Sequence, residues 1–69
     1  MSNGTQVTYS VTGSSADEYL CLAAGLSESD ARERARQEST TGRWGVVLVK
    51  KAATGITAAA YANGQLQRG

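Results

Sequence analysis

The stretch W-G-V-V-L-V-K-K-A-A-T-G-I-T-A-A-A-Y, from Trp44 to Tyr61, decides the fold of this chain. It reads as two strands joined by a tight turn at Ala53-Thr54-Gly55. Val46, Val47, Leu48 and Val49 form the longest unbroken run of large aliphatic side chains. A strand with no polar side wants cover on both faces. One helix covers one face, and the 69 residues of the chain barely supply a second layer. The expectation is a small interaction module that finishes its burial against another chain.

Working outward, Arg43 to Lys51 reads as the central strand and Ile56 to Ala62 as its return. Asn63-Gly64 follows, the strongest short hairpin signal in the chain because both residues tolerate positive φ. Gln65 to Arg68 is then available as a last short edge strand. Upstream, Ser27 caps a helix through L-S-E-S-D-A-R-E-R-A-R-Q-E-S, with Asp30 at the capping-box position and Leu26 as a staple. Glu28 and Asp30 favour the positive end of its dipole. Ala31 and Ala35 are four apart and face inward, and Thr40-Thr41-Gly42 ends the helix.

The N-terminal part is less uniform. Thr5 to Thr12 alternates, with Val7, Tyr9 and Val11 on one side and Thr8, Ser10 and Thr12 on the other, as in a half-buried strand. Gly13 to Asp17 is small and polar, which predicts a turn. Tyr19 to Ala24, Y-L-C-L-A-A, admits two readings. Ser15, Glu18 and Gly25 supply the start and stop signals of a helix. The segment is nevertheless short for a helix that must abut another across Gly25-Leu26, which favours a strand. Either reading buries Leu20 and Leu22. The predicted fold is α+β, one helix on a roughly four-stranded antiparallel sheet in the order ββαββ, with β-α-α-β-β as the alternative. The whole chain, residues 1–69, is one domain.

Composition narrows the function. Histidine is absent, and there is one cysteine and no phenylalanine. A nucleophilic Cys21 lacks an imidazole partner, and a usual zinc site needs several thiolates or imidazoles. Cys21, between Leu20 and Leu22, reads as a buried structural thiol, and a lone cysteine suggests a reducing compartment such as the cytoplasm. The carboxylates of Asp17-Glu18 and Glu28/Asp30 fall at a turn and a helix start, where capping accounts for them. No Gly-rich phosphate loop follows a strand. The expectation is no catalytic residue, no metal and no cofactor. No run of about 18 apolar residues is present, so no membrane-spanning helix is expected. The start, M-S-N-G-T-Q, does not read as a secretory signal, and the Asn3-Gly4-Thr5 triplet is read as chance. Alanine supplies much of the apolar content, so a core priced at about 25 cal/mol per Å² roughly balances conformational entropy.

Charge is unevenly spread. Residues 1 to 39 hold six carboxylates against Arg32, Arg34 and Arg36, a net of −3, whereas residues 40 to 69 hold Arg43, Lys50, Lys51 and Arg68 with no acid, a net of +4. A basic C-terminal hairpin is a candidate contact for something anionic, although strand cations also discourage edge-to-edge pairing. The helix arginines are matched by Glu28, Asp30 and Glu38 at i,i+4 spacing, so a phosphate-binding helix is disfavoured. The candidate partner-binding residues are Arg43, Trp44, Lys50 and Lys51, joined by Arg36 and Arg68. Trp and Arg dominate interface hot spots. The competing reading makes Trp44 the largest core residue, continuing the parity of Val46 and Leu48.

The runs A-A-G-L-S, A-R-E-R-A-R-Q-E, G-R-W-G-V-V-L-V, the T-G turn and Y-A-N-G-Q, across Ala23 to Gln65, resemble small phage-encoded anti-CRISPR proteins that inhibit the type I-F surveillance complex. The chain departs from them in its longer helix start at Glu28-Ser29-Asp30 and its alanine-rich return strand. The resemblance implies a stoichiometric inhibitor in the host cytoplasm. It would dock on the positively charged nucleic-acid channel of the complex and block target hybridisation. No contact residue carries over by motif. Two other partner classes follow from the residues themselves. One is nucleic acid bound through Arg43, Lys50, Lys51 and Arg68; the other is a second copy of the chain meeting at the open face of Val46–Val49.

Overall fold

Residues 7–69 are described by a computed structural model, in which one helix lies across one face of a five-stranded antiparallel sheet. The elements run β1 (Tyr9–Ser14), β2 (Tyr19–Leu26), α1 (Glu28–Ser39), β3 (Val46–Lys51), β4 (Thr57–Ala62) and β5 (Gln65–Arg68). The sheet order is β2-β1-β3-β4-β5. β1 pairs antiparallel with both β2 and β3, so the last two run parallel on either side of it, joined by α1. The expected single helix and antiparallel sheet are present. The strand count rises from four to five because the Asn63-Gly64 turn, with φ of 52° and 76°, closes a real hairpin and lets Gln65–Arg68 pair with β4. Thr5, Gln6 and the Asn3-Gly4-Thr5 triplet lie outside the described residues.

The ambiguous segment is a strand, and the alternative with two helices does not form. Its helix-like signals do other work. The Glu18 amide donates to Ser15 Oγ at 3.1 Å and the Ser15 amide to the Glu18 carbonyl at 2.9 Å, closing the β1–β2 turn. Gly25 adopts φ of 72° at the end of β2, where the register with β1 slips. A second slip lies near Leu22, between the Val11↔Ala23 and Thr12↔Cys21 pairs. Extra residues of this kind bend a strand and re-aim its side chains. Leu22, Ala23 and Leu26 consequently all reach the core. Leu20 does not: it is 46 % exposed, which corrects the expectation that it is buried.

The helix begins as its sequence requires. Ser27 Oγ accepts from the Asp30 amide at 3.2 Å, and Ala31 and Ala35 face the sheet with no exposed surface. Small residues at these positions let the helix lie close to the strands. Beneath it sit Val11 of β1, Val47 and Val49 of β3, and Ala59 and Tyr61 of β4, every one of them buried. The register aligns them across the sheet, with Val11 opposite Val49, Val49 opposite Ala59, and Val47 opposite Tyr61. At the far end of the helix, the buried Ser39 hydroxyl donates to the Arg36 carbonyl and accepts from the Gly64 amide, both at 2.8 Å. This bond ties the helix to the β4–β5 turn.

Gly13 is a core position, not the turn residue that its small neighbours suggest. It ends no strand; it pairs with both Leu20 and Val47. A Cβ built there would lie 2.5 Å from Trp44 Cδ2 and Cε2. The indole therefore lies flat against the β1 backbone, and only glycine leaves it room. Gly13→Ala should destabilise the protein by about 1–3 kcal/mol through overpacking. That loss exceeds the ~0.4–1 kcal/mol that a Gly→Ala change supplies by stiffening the unfolded chain. A urea melt reads the difference as a lower midpoint at unchanged slope. An unmoved midpoint would mean that the ring yields freely.

Candidate binding surface on the uncovered sheet face

Side chains directly opposite one another on paired antiparallel strands share a face. The face away from the helix can therefore be read from the register. One row crosses all five strands: Cys21, Thr12, Leu48, Ala60 and Arg68. Beside it run Tyr19, Ser14 and Val46, and on its other side Ser10 and Lys50. No described element of the chain covers this face. Thr12 and Ala60 are nevertheless only 5 % and 7 % exposed, because both are short and sit between taller neighbours. Val46 and Leu48 are half-buried, whereas Tyr19 is 62 % exposed. The result is a shallow apolar strip with an exposed aromatic at one edge.

Lys50 and Tyr19 meet across this face. The Lys50 ammonium lies 4.8 Å from the centre of the Tyr19 ring, and its Nζ hydrogen-bonds the Tyr19 hydroxyl. Arg68 shares the same side of the sheet at the opposite edge. No acidic residue belongs to these rows.

The remaining candidates are placed elsewhere. Trp44 is a core residue, with 5 % of its surface exposed, so it offers a partner no ring face. Its expected parity is also wrong. Trp44 precedes β3, and its ring sits on Gly13 with Val47 and Val49 on the helix side, while Val46 and Leu48 face the other way. Arg43 stacks over the indole at 4.7 Å and reaches Glu18 at 3.4 Å, closing that corner of the core. Lys51 stands opposite Tyr9, on the helix side of the sheet. Arg36 belongs to the helix, where it pairs with Glu33. The six candidates therefore do not converge, and only Lys50 and Arg68 lie on the uncovered face. Sequence reasoning missed Tyr19 as a surface residue. Its signal was present in the strand reading of Y-L-C-L, whose alternate positions must face opposite ways.

Ion pairing divides the cations by layer. Arg32 bonds Glu28 at 3.1 Å and Arg34 bonds Glu38 at 2.9 Å, as the i,i+4 spacing predicts; Arg34 takes Glu38 rather than Asp30. Tyr61 first, and then Glu28, raises the pKa of Arg32 above its ordinary value. Among the described residues, the cations with a carboxylate partner are Arg32, Arg34, Arg36 and Arg43. Lys50, Lys51 and Arg68 have none, and all three belong to the sheet. The helix arginines are thus all paired, with Asp30 left over for a net of −1, while Lys50 and Arg68 keep the uncovered sheet face positive.

Cys21 lies on this face and is exposed, which corrects the expectation of a buried thiol. Among the described residues no three metal-ligating side chains gather, and no pocket forms. No helix is long and apolar enough to cross a membrane. Compared with protein-family models, curated proteins and solved structures, the chain has no significant match.

Two measurements check this geometry. Cys21 should react with an aromatic disulfide reagent in the native protein at a rate close to that of the unfolded chain. Protection that disappears only in denaturant would return it to the core. The Glu33 carboxyl is held below the ordinary carboxylate value by hydrogen bonds from Arg36 first and Gln37 second. The pair contributes to the helix above the ordinary value and is lost as pH falls through the lowered one. Arg36→Ala should move the Glu33 titration, followed by carboxyl NMR shifts, upward toward the ordinary value.

Proposed function

We propose that the protein is a non-enzymatic binding protein that docks on a host nucleoprotein complex through the uncovered face of its sheet. In this reading it is a cytoplasmic inhibitor of the anti-CRISPR kind, preventing the complex from engaging its nucleic-acid target. The observation that carries the reading is the one-sided cover of the sheet. Val46 and Leu48 remain half-buried with no described element above them, and Tyr19 stands exposed beside them. Aliphatic residues at the centre of a face, with an exposed aromatic and cations toward its margin, are the composition of an interface core and rim. The resemblance across Ala23 to Gln65 supplies the class of partner.

The test is direct mixing of the purified chain with a guide-loaded type I-F surveillance complex, followed by light scattering and a target-binding assay. The expected outcome is stoichiometric co-migration and loss of target binding. Leu48→Glu places a charge at the centre of the face without touching the helix-side core. It should weaken the association more than tenfold while the melting temperature stays near that of the parent. A chain that stays free of the complex, or a stable dimer whose partner surface is this same face, would overturn the inhibitor reading.

A further inference from the structure

We infer that the uncovered sheet face takes single-stranded nucleic acid, so that within a nucleoprotein complex it grips an exposed strand rather than protein. This inference rests on the preceding reading that the uncovered face is the docking surface, and it names what that surface holds.

The argument is one of charge and shape. The resemblance alone implies docking on the positively charged floor of a nucleic-acid channel. Lys50 and Arg68 lie on the uncovered face, neither has a carboxylate partner among the described residues, and no acid shares their rows. Two cationic surfaces brought together repel, and like charges opposed across an interface select against the pairing. The strand lying in such a channel has the complementary sign. Every carboxylate side chain among the described residues lies in the β1–β2 turn or on the helix, so the uncovered face offers the phosphates no acidic side chain.

The apolar part of the face favours a single strand over a duplex. Tyr19 is 62 % exposed, and the Lys50 ammonium sits at its hydroxyl. An exposed ring beside a cation offers a base face something to stack on and the adjoining phosphate something to pair with. A duplex hides its base faces and presents phosphates and the base edges in its grooves. Leu48 stands between the low Thr12 and Ala60, with Val46 beside it, so a chain of nucleotides crossing from Tyr19 at the β2 edge toward Arg68 at the β5 edge meets short and aliphatic side chains only.

The experiment is fluorescence anisotropy with a labelled mixed-sequence oligonucleotide of about a dozen residues, single-stranded and then annealed to its complement. Binding by the two cations of this face, Lys50 and Arg68, gives a slope of about −1.4 in log affinity against log salt. Affinity for the single strand should therefore fall roughly 7-fold between about 50 and 200 mM salt. Lys50→Gln and Arg68→Gln should each flatten the slope by about 0.7. Tyr19→Ala should cost roughly 5- to 150-fold, whereas Tyr19→Phe, which keeps the ring and loses only the hydroxyl, should bind within about twofold of the parent. Melting temperatures of all four variants identify any that fail through unfolding. The duplex should bind more weakly than the single strand.

The same variants are then mixed with the surveillance complex before and after its exposed strands are digested. Association that needs intact strands and weakens with Lys50→Gln supports the inference. Association that is unaffected by digestion and by these substitutions, with no oligonucleotide binding, overturns it in favour of a protein contact and leaves the inhibitor reading standing. Oligonucleotide binding with the expected slope but no association with the complex supports the inference and removes the inhibitor reading. Absence of both removes both.

Discussion

The indole of Trp44 lying on the bare backbone of Gly13 is the contact on which the structure depends. It is the widest ring in the core, and it arrives from the segment that follows the helix. Gly13 belongs to β1, which separates β2 from β3 in the sheet. One side chain therefore secures the path from helix to central strand against the strand that pairs with both β2 and β3. Arg43 over the outer side of the ring, itself held by Glu18, completes the closure. With valine and alanine making up most of the rest, only Tyr61 among the other buried core residues offers comparable area. Truncation of a buried Trp typically costs about 3–5 kcal/mol, a large part of what a domain this small has in hand.

The helix solves half of the burial problem posed by the valine-rich strand. Its alanines approach the sheet closely enough to exclude water from Val11, Val47, Val49 and Ala59. The other half is left to short side chains. Thr12 and Ala60 are hidden by neighbours rather than by a second layer, which keeps the opposite face flat. Charge follows the same division. Arginines on the helix are matched to glutamates one turn away, while the sheet keeps cations that no carboxylate answers. A two-layer molecule built in this way has its helix arginines ion-paired and its bare side cationic, though its formal net charge is only +1.

Much of this architecture was legible in the residues. Ser27 and the alanine spacing locate the helix, Asn63-Gly64 locates the last hairpin, and the reversal of charge along the chain anticipates the reversal between layers. What was not legible depends on contacts between distant segments. Gly13 reads as punctuation because a sequence does not reveal the ring pressed against it. Leu20 and Cys21 read as buried because Y-L-C-L-A-A is apolar, but the slipped register of β2 turns Leu22, Ala23 and Leu26 inward, while Leu20 and Cys21 lie exposed in the regular part of this edge strand. Trp44 reads as continuing the alternation of β3, yet it lies before the strand begins, where alternation carries no information. The candidate surface was correspondingly half visible: Lys50 and Arg68 belong to it, whereas Arg43, Trp44, Lys51 and Arg36 are held in other places.

The strand order has a further consequence, for the route by which the chain folds. β1–β2 and β3–β4–β5 are each built from neighbours in sequence, and such pairings close short loops quickly. The seam between β1 and β3 alone joins residues from far apart in the chain, with the helix spanning the interval. Loop-closure entropy is greatest at that seam, and the Trp44–Gly13 contact sits at one end of it. Two hairpins formed early would have little reason to meet until the indole finds its place. The joint that holds the finished protein together is thus also the natural commitment step of its assembly.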